Sequence, residues 1–270
     1  MRNLKIPRIS AIGLFFFVFL YAPILVLVAL SFNSGGSATV WEGFGVSGYR
    51  DAFANPAALE AARTSLVVAA IAASVATILG TAAAIALWLD SSPRKTFVEP
   101  LLLTPLWIPE ICLAVGTLIV LSTLRIRPGL HTVIFGHTVF CLPFAYFPVQ
   151  ATLARFDRTL LDAAADLGAA PLMGIRSVVL PLVLPGVAAG FMLAFMVSMD
   201  DFVTTYFLSN SDTVTLPAYI YGMIRWGVKP DVNALATSVL LASFIFSIAS
   251  VLIARRVSAG RPITFAQESA

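Results

Sequence analysis

No Asp, Glu, Lys or Arg occurs from Ile9 through Trp41, and none from Thr64 to Leu89. Uncharged runs of this length constrain the fold more than any motif does. A stretch of about 18 or more apolar residues can cross a bilayer as a helix, which satisfies its own backbone groups where no water can. Further runs follow at about 100–124, 130–153, 182–208 and 232–254. With a first span at about 9–32 and a second at 64–89, the chain reads as an all-α polytopic membrane protein of six helices. They would form one transmembrane domain over residues 1–270. Composition agrees: charged residues make up 11%, against roughly 25% in soluble proteins. The net charge of +3 is small and scattered. It argues against a nucleic-acid partner and leaves membrane lipid as the surroundings. A basic start before an apolar run also fits a signal peptide. This run is too long, and no small-residue cleavage site follows cleanly, so the first span is taken as uncleaved.

Six spans place both termini on one side. That side would hold Arg2, Lys5, Arg8, Arg94, Lys95, Arg155, Arg158, Arg176, Arg255, Arg256 and Arg261. The other would hold Arg50, Arg63, Arg125, Arg127, Arg225 and Lys229. The excess of positive charge marks the cytoplasmic side. Both termini and the 154–181 loop are therefore expected in the cytoplasm.

The spans differ in detail. Ser34 to Ser37 cannot hold regular structure, and Asn55-Pro56 is expected to open a short helix leading into the second span. That span is rich in Ala, with Ser74, Thr77 and Gly80, so small residues line at least one face and permit close helix packing. The third span is interrupted by Pro100, Pro105 and Pro109. The piece from Leu216 to Trp226 suits a re-entrant or interfacial helix. Cys112 and Cys141 fall inside apolar runs with no metal-ligand spacing, and read as small buried hydrophobes.

Ala154 to Pro181 is a charge-bearing interruption with an ordered pattern. Thr159 and Asp162 resemble a capping box. Alanines favour the helix that follows. Gly168 suits the left-handed residue that ends a helix. Pro171 suits the first position of a second helix, and Pro181 discourages its continuation. The reading is helix, glycine hinge, helix. On these facts alone an ordinary ordered loop is the favoured explanation.

Carboxylates within spans carry the most functional information. Each costs on the order of 3 kcal/mol to insert, and such groups usually face a pathway. Glu110 follows the proline-broken turns, and Asp200 and Asp201 follow Ser198 near the outer end of the fifth span. Trp107 lies three residues before Glu110, on roughly the same helix face, and Phe202 and Tyr206 follow the aspartates. Aromatic faces offer a cation a second, weaker partner. The alternatives are that Glu110 pairs with Arg125 or Arg127, and that the aspartates are solvated at a helix end. His137 reads as a hydrogen-bonded packing histidine. No catalytic site is indicated: no Gly-x-Ser-x motif with a partnered histidine lies in a span, and no His-Glu-x-x-His occurs. No Gly-x4-Gly-Lys-Ser/Thr is present either, so the chain should not bind ATP itself.

Asp162-Ala163-Ala164, then Gly168 after three residues, then Val178-x-Leu180-Pro181 after nine, resembles the loop that identifies permeases of ABC importers. That family pattern is Glu-Ala-Ala-x3-Gly-x9-Ile-x-Leu-Pro; Asp162 stands for Glu and Val178 for Ile. Ser31 to Asn33, His137 to Phe144, Leu180 to Gly190, Ser198 to Asp201 and Val232 to Thr237 extend the likeness. They resemble the C-type permease subunits of spermidine/putrescine importers, where the third-span acid is usually Asp rather than Glu110. The resemblance implies a type I ABC-importer permease fold in the bacterial cytoplasmic (inner) membrane. Asp162, Ala163, Ala164, Gly168, Leu180 and Pro181 would form the loop that couples to an ATPase. Glu110, Asp200, Asp201, Trp107 and Tyr206 would line the substrate pathway. It further implies a second homologous permease subunit, two ATPase subunits that hold ATP and Mg, and a periplasmic or extracellular substrate-binding protein. No cofactor or metal is expected on this chain. Rival expectations are an importer of another solute, such as ferric iron or an amino-acid derivative, and a secondary transporter or channel with Glu110 as its ion site.

Overall fold

The computed structural model describes residues 7–226 and 230–259, with side chains for 13–225 and 230–252. Arg2, Lys5, Lys229 and Arg261, which entered the charge comparison, lie outside the described residues, as do the side chains of Arg8, Arg255 and Arg256. The all-α expectation holds: among the described residues the only β-type pairing is an isolated bridge between Asn33 and Phe44. The chain forms two compact units.

The first unit takes in the chain up to Glu60 together with Tyr219–Phe244. Its first helix, α1 (Pro7–Leu30), presents Phe15, Phe16, Phe17 and Phe19 outward, as suits a helix solvated by lipid. The loop that follows lacks regular structure, as expected, but is tightly ordered by one buried side chain. Asn33 donates from Nδ2 to the Ser37 and Val40 carbonyls, each at 2.7 Å, and accepts at Oδ1 from the Glu42 amide at 2.8 Å. Short α2 (Ser47–Ala54) leads to α3 (Pro56–Leu89). Asn55 Oδ1 accepts the Ala57 amide at 3.0 Å, and Pro56 occupies the first helical position. The helix that Asn55-Pro56 opens is not a separate short one. The helix instead runs unbroken for 34 residues, because nothing after Pro56 interrupts its alanine-rich pattern.

The second unit is Ala61–Ala218 and the chain from Ile245. Ala69, Ala72, Ala73 and Ala76 on α3 are fully buried, which confirms the small-residue face. The third expected span is broken as anticipated, into α4 (Lys95–Leu102), α5 (Thr104–Trp107) and α6 (Glu110–Thr123). Ile108 and Pro109 between the last two are extended. Next comes α7 (Leu130–Leu153), then α8 (Thr159–Asp166) and α9 (Pro171–Gly174). A π turn, Ile175–Val179, carries α9 directly into α10 (Leu180–Asp200). Two more short helices, α11 (Val203–Leu208) and α12 (Leu216–Trp226), precede α13 (Pro230–Ala259). The helix expected at Leu216 to Trp226 is therefore present.

Within the second unit α7 packs along α10, and Gly190 marks how closely. A Cβ there would lie 2.6 Å from the Ala145 carbonyl oxygen. Tyr146, Val149 and Leu153 of α7 form a core with Val179 and Val183. Cys141 is buried as expected, but Cys112 is exposed. It lines an open apolar cleft shared with Thr132, Phe135 and Val139 of α7, where apolar character suits lipid as well as a core. Among the described residues, five helices are long and apolar enough to cross a membrane. The 14-residue α6, at about 1.5 Å per residue, falls short of the ~30 Å hydrocarbon core.

Candidate functional site

The 154–181 segment folds as helix, hinge and helix. Its first cap differs from the expected one. Arg158, not Thr159, is the N-cap of α8, and Asp157 just before it accepts the Thr159 amide at Oδ1, at 3.0 Å. These hydrogen bonds hold the Asp157 carboxyl below its ordinary range. Thr159 is already helical, so its hydroxyl is not at the capping position and Asp162 lies one step too far along for a capping box. The C-terminal end follows the expectation closely. Gly168 has φ +84°. Its amide donates to the Ala165 carbonyl at 2.8 Å, and the Ala169 amide donates to the Ala164 carbonyl at 3.0 Å. This pair of bonds is the Schellman motif. Pro171 then starts α9.

Pro181 does not stop the second helix. Residues Pro171–Asp200 form one continuous 30-residue helix, so the fifth span begins well before Leu182. The reason lies one turn earlier. Proline cannot donate an amide, and its ring clashes with the carbonyl four residues back. The π turn at Ile175–Val179 widens the helix there, and the Leu180 amide bonds the Ile175 carbonyl. The segment is anchored to α3 by Arg158. Its guanidinium donates to the Trp88 carbonyl and lies 4.8 Å over the Trp88 ring. Phe156 meets the same ring edge-on at 5.2 Å. Its outward surface includes large apolar side chains among charged ones: Leu167 is 90% and Leu172 76% exposed, with Leu160 and Met173 also exposed. Asp162 and Ala163 are exposed, and Ala164 is half-buried.

A second constellation surrounds a break in the fifth span. Helix α10 ends at Asp200, Asp201 is extended with ψ 111°, and α11 resumes at Val203. The expected 182–208 span is thus two helices. Asp201 is buried, which removes the solvated reading for it, while Asp200 is exposed. Asp201 Oδ1 accepts the Thr204 amide at 2.8 Å. No donor among the described residues reaches Oδ2, which lies 3.8 Å from His137 Nε2. His137 bridges to Ser198 Oγ at 2.8 Å through Nδ1 and to Thr205 Oγ1 at 2.9 Å through Nε2. The expectation of a hydrogen-bonded histidine is met. Glu110, the first residue of α6, lies within electrostatic reach of both Asp201 and Asp200. Arg125 lies just past the far end of α6, about 22 Å along the helix, so it cannot be the partner of Glu110.

The structure therefore gathers Glu110, Asp200 and Asp201, but not every expected neighbour. Trp107 ends α5, is 82% exposed, and is separated from Glu110 by extended backbone. The two share no helix face. Tyr206 lies on α11 with its ring 5.4 Å from that of Phe202. The sequence reading assigned no role to Thr204 or Thr205, whose bonds to Asp201 and to His137 of α7 form across a bend no local signal announces. It also missed Glu99. This half-buried carboxylate accepts the Tyr146 hydroxyl at 2.9 Å and a bond from Gln150. Its isolation between Val98 and Pro100 was the available clue.

Long apolar helices, two of them broken beside carboxylates, together with an ordered two-helix loop define a polytopic membrane transport domain. Residues 76–259 match the family described as the inner membrane component of binding-protein-dependent transport systems, and the chain belongs to that family. It is 40% identical over 244 residues to the spermidine/putrescine transport system permease protein PotC of Escherichia coli (strain K12), covering 90% of this chain and 92% of that protein. It is 36% identical over 250 residues to the putrescine transport system permease protein PotI of the same strain, covering 89% of each. A putative 2-aminoethylphosphonate permease, PhnV of Salmonella paratyphi A, is 26% identical over 244 residues, 90% of this chain and 92% of that one. Among solved structures, a bacterial ABC transporter that imports alginate matches with a TM-score of 0.73 at 15% identity, covering 92% of this chain and 93% of that one. The methionine transporter MetNI matches with a TM-score of 0.64 at 19% identity, covering 74% and 95%. These structural likenesses establish the fold. The chain is a multi-pass permease subunit of an ABC importer, not an enzyme.

Proposed function

We propose that this permease admits polyamines, putrescine or spermidine, to the cytoplasm. The observation that carries this reading is the 40% identity to a spermidine/putrescine permease over nine-tenths of the chain. The carboxylates support it. A polyamine is a chain of hydrated ammonium groups, and Glu110, Asp201 and Asp200 supply oxygen ligands to replace that water. Three neighbouring acids would repel a phosphonate, which disfavours a cargo like that of the more distant relative. Tyr206 adds an aromatic face worth roughly 0.5–2 kcal/mol to a cation. Passage requires weak, successive sites, so tight capture belongs to a separate binding protein outside the cell.

In this reading the chain pairs with a second homologous permease and two ATPase subunits, which hold ATP and Mg. Both termini and the 154–181 segment face the cytoplasm. The exposed Leu160, Leu167, Leu172 and Met173, held on an anchored helix pair, dock into an ATPase cleft, and ATP-driven closure moves α10 through its continuous connection to α9. The deciding experiment is uptake of labelled putrescine and spermidine by the complete complex in proteoliposomes. ATP-dependent accumulation is expected. Failure to accumulate either, while another solute is taken up, overturns the assignment.

A further inference from the structure

We propose that His137 is a positioning residue: it clamps the two sides of the α10–α11 break together and so fixes the direction of the Asp201 carboxylate. The importance of that direction rests on the pathway role given to Asp201 above; the clamp itself is tested separately.

The break needs a cause. Sharp interruptions in helices arise at proline, at glycine, or where a side chain enters the hydrogen-bond ladder. From Ser198 to Thr205 the chain contains neither proline nor glycine. Local sequence therefore permits a continuous helix, and something outside the segment must select the broken one. Asp201 contributes by capping Thr204, but a capping carboxylate can release its amide to an ordinary helical bond. His137, from α7, cannot be accommodated that way. Its two ring nitrogens reach Ser198 in the last turn of α10 and Thr205 in α11, at 2.8 and 2.9 Å. Two such bonds and one imidazole ring together span roughly 8 Å at most. In an uninterrupted helix the same two residues would be separated by about 10.5 Å along the axis. The bridge fits the broken helix and not the continuous one.

The bridge is buried, with His137 1% exposed and Ser198 and Thr205 at 3% and 0%. Water cannot replace either bond, so each hydroxyl that lost the ring would be left unsatisfied or driven back onto its own helix. Asp201 Oδ2, 3.8 Å from Nε2, favours the tautomer with the proton on that nitrogen. Nε2–H then donates to Thr205 Oγ1, and Nδ1 accepts from Ser198 Oγ–H. With Oδ1 committed to the Thr204 amide, the carboxylate is held in one orientation, with Oδ2 buried and without a hydrogen-bond donor among the described residues.

The clamp is tested in the full complex with spin labels on Leu193 and Asn210, one on each side of the break, read by double electron–electron resonance. Close to 25 Å of axial separation is expected if the helix becomes continuous. His137→Phe should lengthen and broaden the distance distribution, and Ser198→Ala with Thr205→Val should do the same while leaving the imidazole in place. The hydroxyl pair decides if His137→Phe fails to assemble. An unchanged distribution overturns the clamp, whatever happens to uptake. Its functional consequence is read by a double-variant cycle. His137→Phe should lower polyamine uptake several-fold in the wild-type background and cause no further loss in Asp201→Asn. Equal losses in both backgrounds reject the action through Asp201. Wild-type uptake by Asp201→Asn alone rejects the pathway role and leaves the distance result to judge the clamp.

Discussion

Glu110 opens α6 and Asp201 lies in the break just before α11, within electrostatic reach of each other in the second unit, and among the described residues neither has an Arg or Lys partner, the imidazole of His137 3.8 Å from Asp201 being the one basic ring nearby. A carboxylate at membrane depth costs on the order of 3 kcal/mol, so retaining two side by side demands a use. Glu110→Gln and Asp201→Asn are each expected to lower labelled putrescine uptake several-fold with the amount of assembled complex unchanged. Loss of the assembled complex would assign the acids to folding instead. Asp157 makes a different kind of prediction. Its carboxyl is held below the ordinary range by the Thr159 bonds. A depressed pKa gives stability that is present above the unfolded value of about 3.9 and is lost as pH falls through the folded value. The cap is therefore intact at neutral pH. Asp157→Ala should speed amide exchange across residues 158–162, whereas Asp157→Asn, which keeps an acceptor oxygen, should leave it close to wild type.

At the scale of elements, the 154–181 hinge is the sharpest target. Gly168 sits at φ +84°, a region that costs a side chain with a Cβ roughly 1–2 kcal/mol and a β-branched one more. Gly168→Val should redirect α9 relative to α8 and reduce transport, while circular dichroism of the purified complex stays unchanged. Asp162→Ala should also reduce transport, by removing an exposed charge from the helix proposed to dock on the ATPase. Normal uptake in both variants would show that this segment does not couple the ATPases. The α7–α10 contact responds differently. A Cβ at Gly190 meets a backbone carbonyl at 2.6 Å, and backbone cannot swing away as a side chain can. Gly190→Ala should therefore destabilise by about 1–3 kcal/mol, seen as a lower thermal midpoint and less assembled complex.

For the molecule as a whole, the transport cycle proposed above divides between chains. A permease without a phosphate-cradling loop has nothing to hold a nucleotide. The purified, homogeneous subunit should show no ATP hydrolysis above background, and hydrolysis should appear only with its ATPase partners. Robust turnover by the subunit alone would contradict the proposed division of labour.

Much of this was open to reading from the chain alone, because the signals involved are local. Uncharged runs determine which segments suit lipid. Pro100, Pro105 and Pro109 foretell a broken third span, and Gly168 followed by Pro171 foretells a hinge, since φ restrictions act within a residue or two. Local rules misjudged the points where a distant partner or a rearranged ladder decides. Pro181 should end a helix, yet a π turn absorbs it. Residues 198 to 205 should continue one, yet they break around an imidazole that lies 61 and 68 positions away from the hydroxyls it bonds. Trp107 and Glu110 should share a face, but two extended residues part them. Composition and spacing determined which segments are helical and which carboxylates are costly. Only the packing of α7 and α6 against α10 and α11 decided where the helix breaks and which carboxylate oxygen it leaves without a backbone donor, because those outcomes depend on hydrogen bonds between residues the sequence keeps far apart.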